Sequence, residues 1–207
     1  MYLSKLTLDP RLRQTRRLVA SPYDLHQAIA RAFPNATDGG PGRVLFRLDE
    51  DRRSGGLCLF VQSEKAPDWA RAELLSDCLA EPVKYKPFNP VILQGQVLYF
   101  RLRANPTVKR DGKRLGLLRQ EEQLAWLGRK AEQNGFSVVS CTVVPEGLRR
   151  DAKEDENGKT PLILLSVRFE GVLRVEQPPA LVAAIREGIG SGKGLGFGLL
   201  SVAPLRG

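Results

Sequence analysis

Histidine is almost absent from this chain of 207 residues: His26 is the only one. Cysteine is scarce as well, and Cys58, Cys78 and Cys141 are odd in number and far apart. Such spacing offers neither a disulfide framework nor the paired ligands of a zinc site, and it suits a reducing, cytoplasmic setting. No apolar run approaches the ~20 residues that span a bilayer, and the N-terminus lacks a signal-peptide pattern, so no membrane association is expected. Acidic residues are the minority charge, 23 Asp and Glu against 32 Lys and Arg, for a net charge of +9. They lie in mixed charge runs, and no carboxylate cluster of the kind used in two-metal nucleases stands out. An excess of positive charge favours a polyanionic partner, nucleic acid first. With 42% hydrophobic and 27% charged residues, the composition is otherwise that of a soluble globular protein. The length suits one large domain or two of about 100 residues.

The sole histidine sits in a well-marked helix. Ser21 followed by Pro22 reads as an N-cap and first helical position, with Asp24 completing the signal. Leu25, Ala28, Ile29, Ala32 and Phe33 then form an i, i+3, i+4, i+7, i+8 stripe that should face a core. His26 falls roughly 90° off that stripe, and Tyr23, three residues earlier, shares its flank. A phenol and an imidazole side by side can exchange protons near neutral pH, but a lone histidine can equally be a packed or surface ring.

Along the chain, residues 2 to 8 alternate as a strand, and a basic connection with Arg11, Arg13, Arg16 and Arg17 leads into the helix. Strands are expected over 43–48 and 57–62, and a short helical piece over 69–79. The proline-rich stretch 81–96 reads as a link between halves. Past it, Val97 to Arg103 alternates strongly, and residues 101–114 hold Arg101, Arg103, Lys109, Arg110, Lys113 and Arg114 against the single acid Asp111. An amphipathic helix follows over 119–134, with Leu124, Trp126, Leu127 and Ala131 as its apolar positions and Asn134-Gly135 as its stop. Strands over 136–144 and 162–175 flank a charged arm, 149–159, that turns at Asn157-Gly158. A short helix over 179–187 and a strand over 199–203 complete the pattern. Each half thus repeats a strand–helix–strand–strand–helix order, the second with an extra hairpin. The expected fold class is α+β, with two tandem ferredoxin-like (RRM-like) domains over 1–90 and 95–207, the later part of the first one decayed.

Six glycines between 188 and 198 surround Lys193. The loop is not a Walker motif, because Glu187 stands where that motif has glycine and Gly194 follows the lysine. Nor does it contain the dinucleotide fingerprint. Two readings remain: backbone N–H groups and Lys193 meeting a polymer phosphate, or glycines allowing close passage of a neighbouring segment. No G-x-S-x-G elbow accompanies the histidine. A metal-free route on RNA suits this composition better, since RNA supplies its own 2′-OH nucleophile and needs a proton acceptor, a donor and positive charge.

Several segments, in order, resemble one known family. They are the Tyr2-Leu3-Ser4-Lys5-Leu6 strand, the arginine run, Ser21-Pro22-Tyr23-Asp24-Leu25-His26, Phe100-Arg101-Leu102-Arg103-Ala104-Asn105-Pro106, and Gly192-Lys193-Gly194-Leu195-Gly196-Phe197-Gly198 with the strand after it. The chain is similar throughout to the CasE-type CRISPR repeat endoribonucleases of the repeat-associated (RAMP) superfamily. The resemblance implies metal-independent, cofactor-free cleavage of precursor CRISPR RNA at the base of its repeat stem-loop, giving 5′-hydroxyl and 2′,3′-cyclic phosphate ends. It implies that Tyr23 and His26 are catalytic and that Arg149, Arg150 and Lys153 on the charged arm grip RNA. It also implies that the enzyme stays on its product as a subunit of the type I-E surveillance complex (Cascade). The rival expectation is a non-catalytic RNA-binding subunit.

Overall fold

The first strand, β1 (Tyr2–Leu8), carries Ser4, Leu6 and Leu8 on one buried face. Helix α1 (Arg13–Ala20) and helix α2 (Pro22–Ala30) follow, then β2 (Val44–Glu50), β3 (Leu57–Ser63), α3 (Glu73–Ser76) and β4 (Lys84–Pro87). The computed structural model describes residues 1–35, 37, 39–51, 55–155 and 158–205, without the side chains of Lys113, 152–155 and 158–160. All pairings among these strands are antiparallel, and the sheet order is β2-β3-β1-β4, that of a ferredoxin-like unit. Leu25, Ala28, Ile29, Ala32 and Phe33 are all at most 2% exposed, as the stripe requires, and pack with Leu6, Phe46, Leu59, Val61 and Trp69.

Two expectations are corrected here. The basic connection is a helix: α1 buries Thr15 and Leu18, three residues apart, while its arginines face outward. The proline-rich link contains β4, which pairs with β1 from Tyr2↔Pro87 to Lys5↔Lys84. As an edge strand of four exposed residues it tolerates a proline that a central strand would not.

The second unit runs β5 (Val97–Ala104), β6 (Thr107–Arg110), β7 (Lys113–Gly116), α4 (Gln120–Gln133), β8 (Phe136–Asp155), β9 (Gly158–Val175), α5 (Pro178–Glu187) and β10 (Leu200–Pro204). Its main sheet has the order β10-β5-β9-β8, again antiparallel. Taken by sequence position within each unit, both sheets read 4-1-3-2, so the chain holds two tandem ferredoxin-like folds. Leu98, Phe100 and Leu102 of β5 are buried with Trp126, Leu127, Phe169 and Leu173. The Trp126 and Phe169 rings stack with centroids 6.0 Å apart. Leu124 is not part of that core: it is 36% exposed, and Gln123 is buried instead, its amide donating to the Leu117 carbonyl at 2.8 Å.

Residues 1–89 pack as one unit and 90–193 with 197–207 as the other, while Gly194–Gly196 packs with the first. Among the described residues no helix is long and apolar enough to cross a membrane.

Candidate active site and RNA-binding surface

The Ser21 hydroxyl accepts from the Asp24 N–H at 3.0 Å, with Pro22 at the first helical turn, so α2 starts where its capping signal places it. That start fixes the phase of Tyr23 and His26, both half-buried. His26 lies beside the Phe46 ring of β2, their centroids 6.4 Å apart and the planes 21° from parallel. The glycine loop approaches it as well: a Cβ placed on Gly194 would lie 3.7 Å from the imidazole Cε1. Burial between an aromatic ring and a peptide segment disfavours the imidazolium, and the His26 pKa is lowered from its ordinary value of 6.5. The ring is therefore neutral at physiological pH and able to accept a proton. On the same flank, the Gln27 amide donates to the Tyr23 phenol oxygen at 3.0 Å. The phenol oxygen is the acceptor in that bond.

The glycine loop owes its course to its composition. Gly196 (φ 85°) and Gly198 (φ 84°) occupy the left-handed region. A Cβ on Gly196 would come within 3.1 Å of the Phe46 ring, and one on Gly198 within 2.9 Å of the Ile189 carbonyl oxygen. Ile189 and Gly198 are joined by an N–H···O bond of 2.9 Å, and the Gly198 N–H reaches the Arg103 carbonyl at 2.8 Å. The side-chain stem of half-buried Lys193 packs against Gly198.

The basic residues of 101–114 divide into two groups. Lys109 and Arg110 of β6 pair across from Arg114 and Lys113 of β7, about a two-residue Asp111-Gly112 turn with positive φ at both positions. Lys109, Arg110 and Arg114 are exposed; the Lys113 side chain lies outside the described residues. Like charges directly opposite on a hairpin are unfavourable, so this tip gains from an anion that neutralises it. Arg103 behaves otherwise. It is 8% exposed and its guanidinium donates to both carboxylate oxygens of Glu146, at 2.6 and 2.9 Å. Such a pair is a structural strut. Arg101 is intermediate: 41% exposed, it pairs with Glu170 at 2.8 Å.

The charged arm is the end of one long β8–β9 hairpin, longer than the two separate strands expected. Arg149 is half-buried and Arg150 exposed; the Lys153 side chain and part of the Asn157-Gly158 turn lie outside the described residues. The hairpin carries register shifts at Val138/Ser140 and Pro145/Gly147. Glu146 is the extra residue of the second, and besides Arg103 it accepts from the Ser166 hydroxyl at 2.7 Å. Burial pushes its carboxyl up, but Arg103, Ser166 and Arg168 together outweigh this and hold its pKa below the ordinary 4.5.

Sequence reasoning gave no role to four residues at these places: Gln27, Phe46, Asn105 and Glu146. Gln27 was findable, since i+4 from Tyr23 is helical contact spacing. Phe46 and Glu146 act through tertiary contacts that no local pattern announces. Asn105 is buried, and its side-chain oxygen accepts from the Leu165 N–H at 3.2 Å. All three cysteines are free, and burial pushes the Cys141 thiol up to about 11. Among the described residues no three His, Cys, Asp or Glu side chains gather as metal ligands would.

Known proteins match this geometry over its whole length. A family model described as CRISPR associated protein covers residues 1–204. The CRISPR-associated endoribonuclease Cse3 of Thermus thermophilus is 39% identical over 99% of this chain and 100% of its own. The CRISPR system Cascade subunit CasE of Escherichia coli is 33% identical over the same shares. Among solved structures, Cse3 bound to a 19 nt RNA superposes with a TM-score of 0.86 at 37% identity, covering 99% of this chain and 100% of that one. Cas6e of Escherichia coli gives 0.71 at 30% identity, with the same coverage. The chain belongs to the CRISPR-associated endoribonuclease family that includes Cse3 and CasE.

Proposed function

We propose that this protein cleaves precursor CRISPR RNA at the base of its repeat stem-loop, without a metal ion or other cofactor. The ribose 2′-OH attacks the adjacent phosphorus, its proton passing to a base, and the P–O5′ bond breaks as the leaving oxygen takes up a proton. The products carry a 2′,3′-cyclic phosphate and a 5′-hydroxyl. Tyr23 and His26 flank the scissile phosphate and exchange these two protons. The observation that carries this reading is the half-buried His26 held beside Phe46 and the Gly194 segment, one helical turn from Tyr23. Which of the two is base and which acid is set by the substrate-bound state.

In this reading residues 1–90 supply the proton-transfer helix and residues 95–207 hold the RNA. Lys109, Arg110, Lys113 and Arg114 on the β6–β7 tip, Arg149, Arg150 and Lys153 on the arm, Arg101 and Lys193 contact phosphates. A-form RNA hides its major groove, so the arm meets the stem near an end, where the scissile bond lies. Basic contacts of this number keep the product bound, which fits a subunit of a cytoplasmic type I-E surveillance complex of guide RNA and protein.

A labelled repeat stem-loop RNA incubated with the protein in EDTA tests the proposal. One cut is expected, and none when the nucleotide 5′ to the scissile phosphate is a deoxynucleotide. Binding without cutting would assign the protein to the non-catalytic class.

A further inference from the structure

We infer that a groove on the first unit binds the single-stranded RNA that continues past the cleaved stem-loop. The inference rests on the proposed RNA cleavage and adds a subsite to it. The groove has a volume of about 1000 Å³ and lies among α1, α2 and α3. Arg13, Arg17 and Arg31 line it; all three are exposed, and none has an ion-pair partner among the described residues. The other two arginines of the run are already committed. Arg11 pairs with Asp9 through a carboxylate contact of 2.8 Å, and Arg16 turns back onto the carbonyls of Pro10 and Arg11.

Arg13 and Arg17 stand four apart on α1, where like charges work against an isolated helix, so an anion lying along them is stabilising. Asp24 and Asp77 also line the groove, leaving one guanidinium in excess. Asp24 sits in the first turn of α2, where the helix N-terminus favours its charge.

Continuity identifies the anion as RNA. Gln27 lines the groove and also donates to the Tyr23 hydroxyl, so the groove opens beside the proposed reacting phosphate. An RNA strand leaving that phosphate runs directly onto Arg31, Arg17 and Arg13. No aromatic side chain lines the groove. It therefore lacks a stacking platform, and it holds phosphates without reading bases.

The test measures binding of RNAs with a deoxyribose at the cut site: a bare stem-loop, one with a 5′ single-stranded flank and one with a 3′ flank. The wild-type protein is compared with an Arg13→Gln, Arg17→Gln, Arg31→Gln variant. One flank should raise wild-type affinity and steepen its salt dependence, and the variant should lose that gain. Three phosphate contacts correspond to a slope difference of about 2, so raising salt from 50 to 200 mM should cost the wild type about 16-fold more than the variant. Binding of the bare stem-loop should be unchanged, which also reports that the variant is folded. Equal wild-type binding to all three RNAs overturns the inference, as does a variant that loses bare and flanked RNA alike. A wild-type protein that cuts no ribose stem-loop refutes the proposed cleavage by a separate readout.

Discussion

The guanidinium of Arg103 and the carboxylate of Glu146 form a buried two-bond pair, 2.6 and 2.9 Å, between β5 and the extra residue of the bulge in β8. The bulge lies just before Arg149 and Arg150 on the long hairpin, and the pair ties it to β5. Replacing Glu146 with alanine removes both carboxylate bonds to the buried Arg103 guanidinium. A loss of about 3–5 kcal/mol is expected in urea unfolding. An unchanged midpoint would show that the pair is dispensable.

The same carboxylate should leave a mark on the pH dependence of stability. Its folded pKa is below 4.5, so its contribution is fully present above the unfolded value and disappears as pH falls through the folded one. Thermal melts of the wild type should therefore lose stability below about pH 4.5 more steeply than those of Glu146→Gln. Parallel curves would assign the acid limb to other carboxylates.

Gly194 and Gly196 are two residues apart but differ in what they permit. Gly196 has φ 85°, and a methyl group there would press on Phe46 at 3.1 Å. Gly196→Ala should cost about 1–3 kcal/mol in a thermal or urea melt. At Gly194 the added carbon meets His26 at an ordinary 3.7 Å, so Gly194→Ala should leave stability nearly unchanged. Equal losses would contradict the packing of this loop.

Local pattern carried most of the fold and much of the candidate site. The Ser21-Pro22 start and its apolar stripe place α2, and hence Tyr23 and His26, because capping and helical periodicity are properties of short segments. Alternation in Val97 to Arg103 locates β5 for the same reason. What stayed hidden depended on distant partners. Arg103 looks like Arg101 in sequence, and only its pair with Glu146, 43 residues away, marks it as a buried strut. Helix α1 was masked by its arginines, since two inward residues, Thr15 and Leu18, are too few to announce a stripe. Strand β4 was masked by prolines that matter little at a sheet edge.

His26 should also shape the pH–rate profile of single-turnover cleavage. Desolvation lowers its pKa below 6.5, so if the neutral ring is the base, the rate falls only as pH drops below that value. A limb that begins above pH 7 would mean that RNA binding raises the imidazole pKa and that His26 acts as the acid. A profile identical in wild type and His26→Gln would remove the imidazole from both roles.

Single-turnover cleavage of a repeat stem-loop by His26→Ala, alongside its RNA dissociation constant, tests the proposed chemistry most directly. General acid–base catalysis is worth roughly 10²–10⁴-fold, so the rate should fall by about that factor while the dissociation constant stays close to wild type. Cleavage at the wild-type rate would contradict the assignment of the sole histidine to proton transfer.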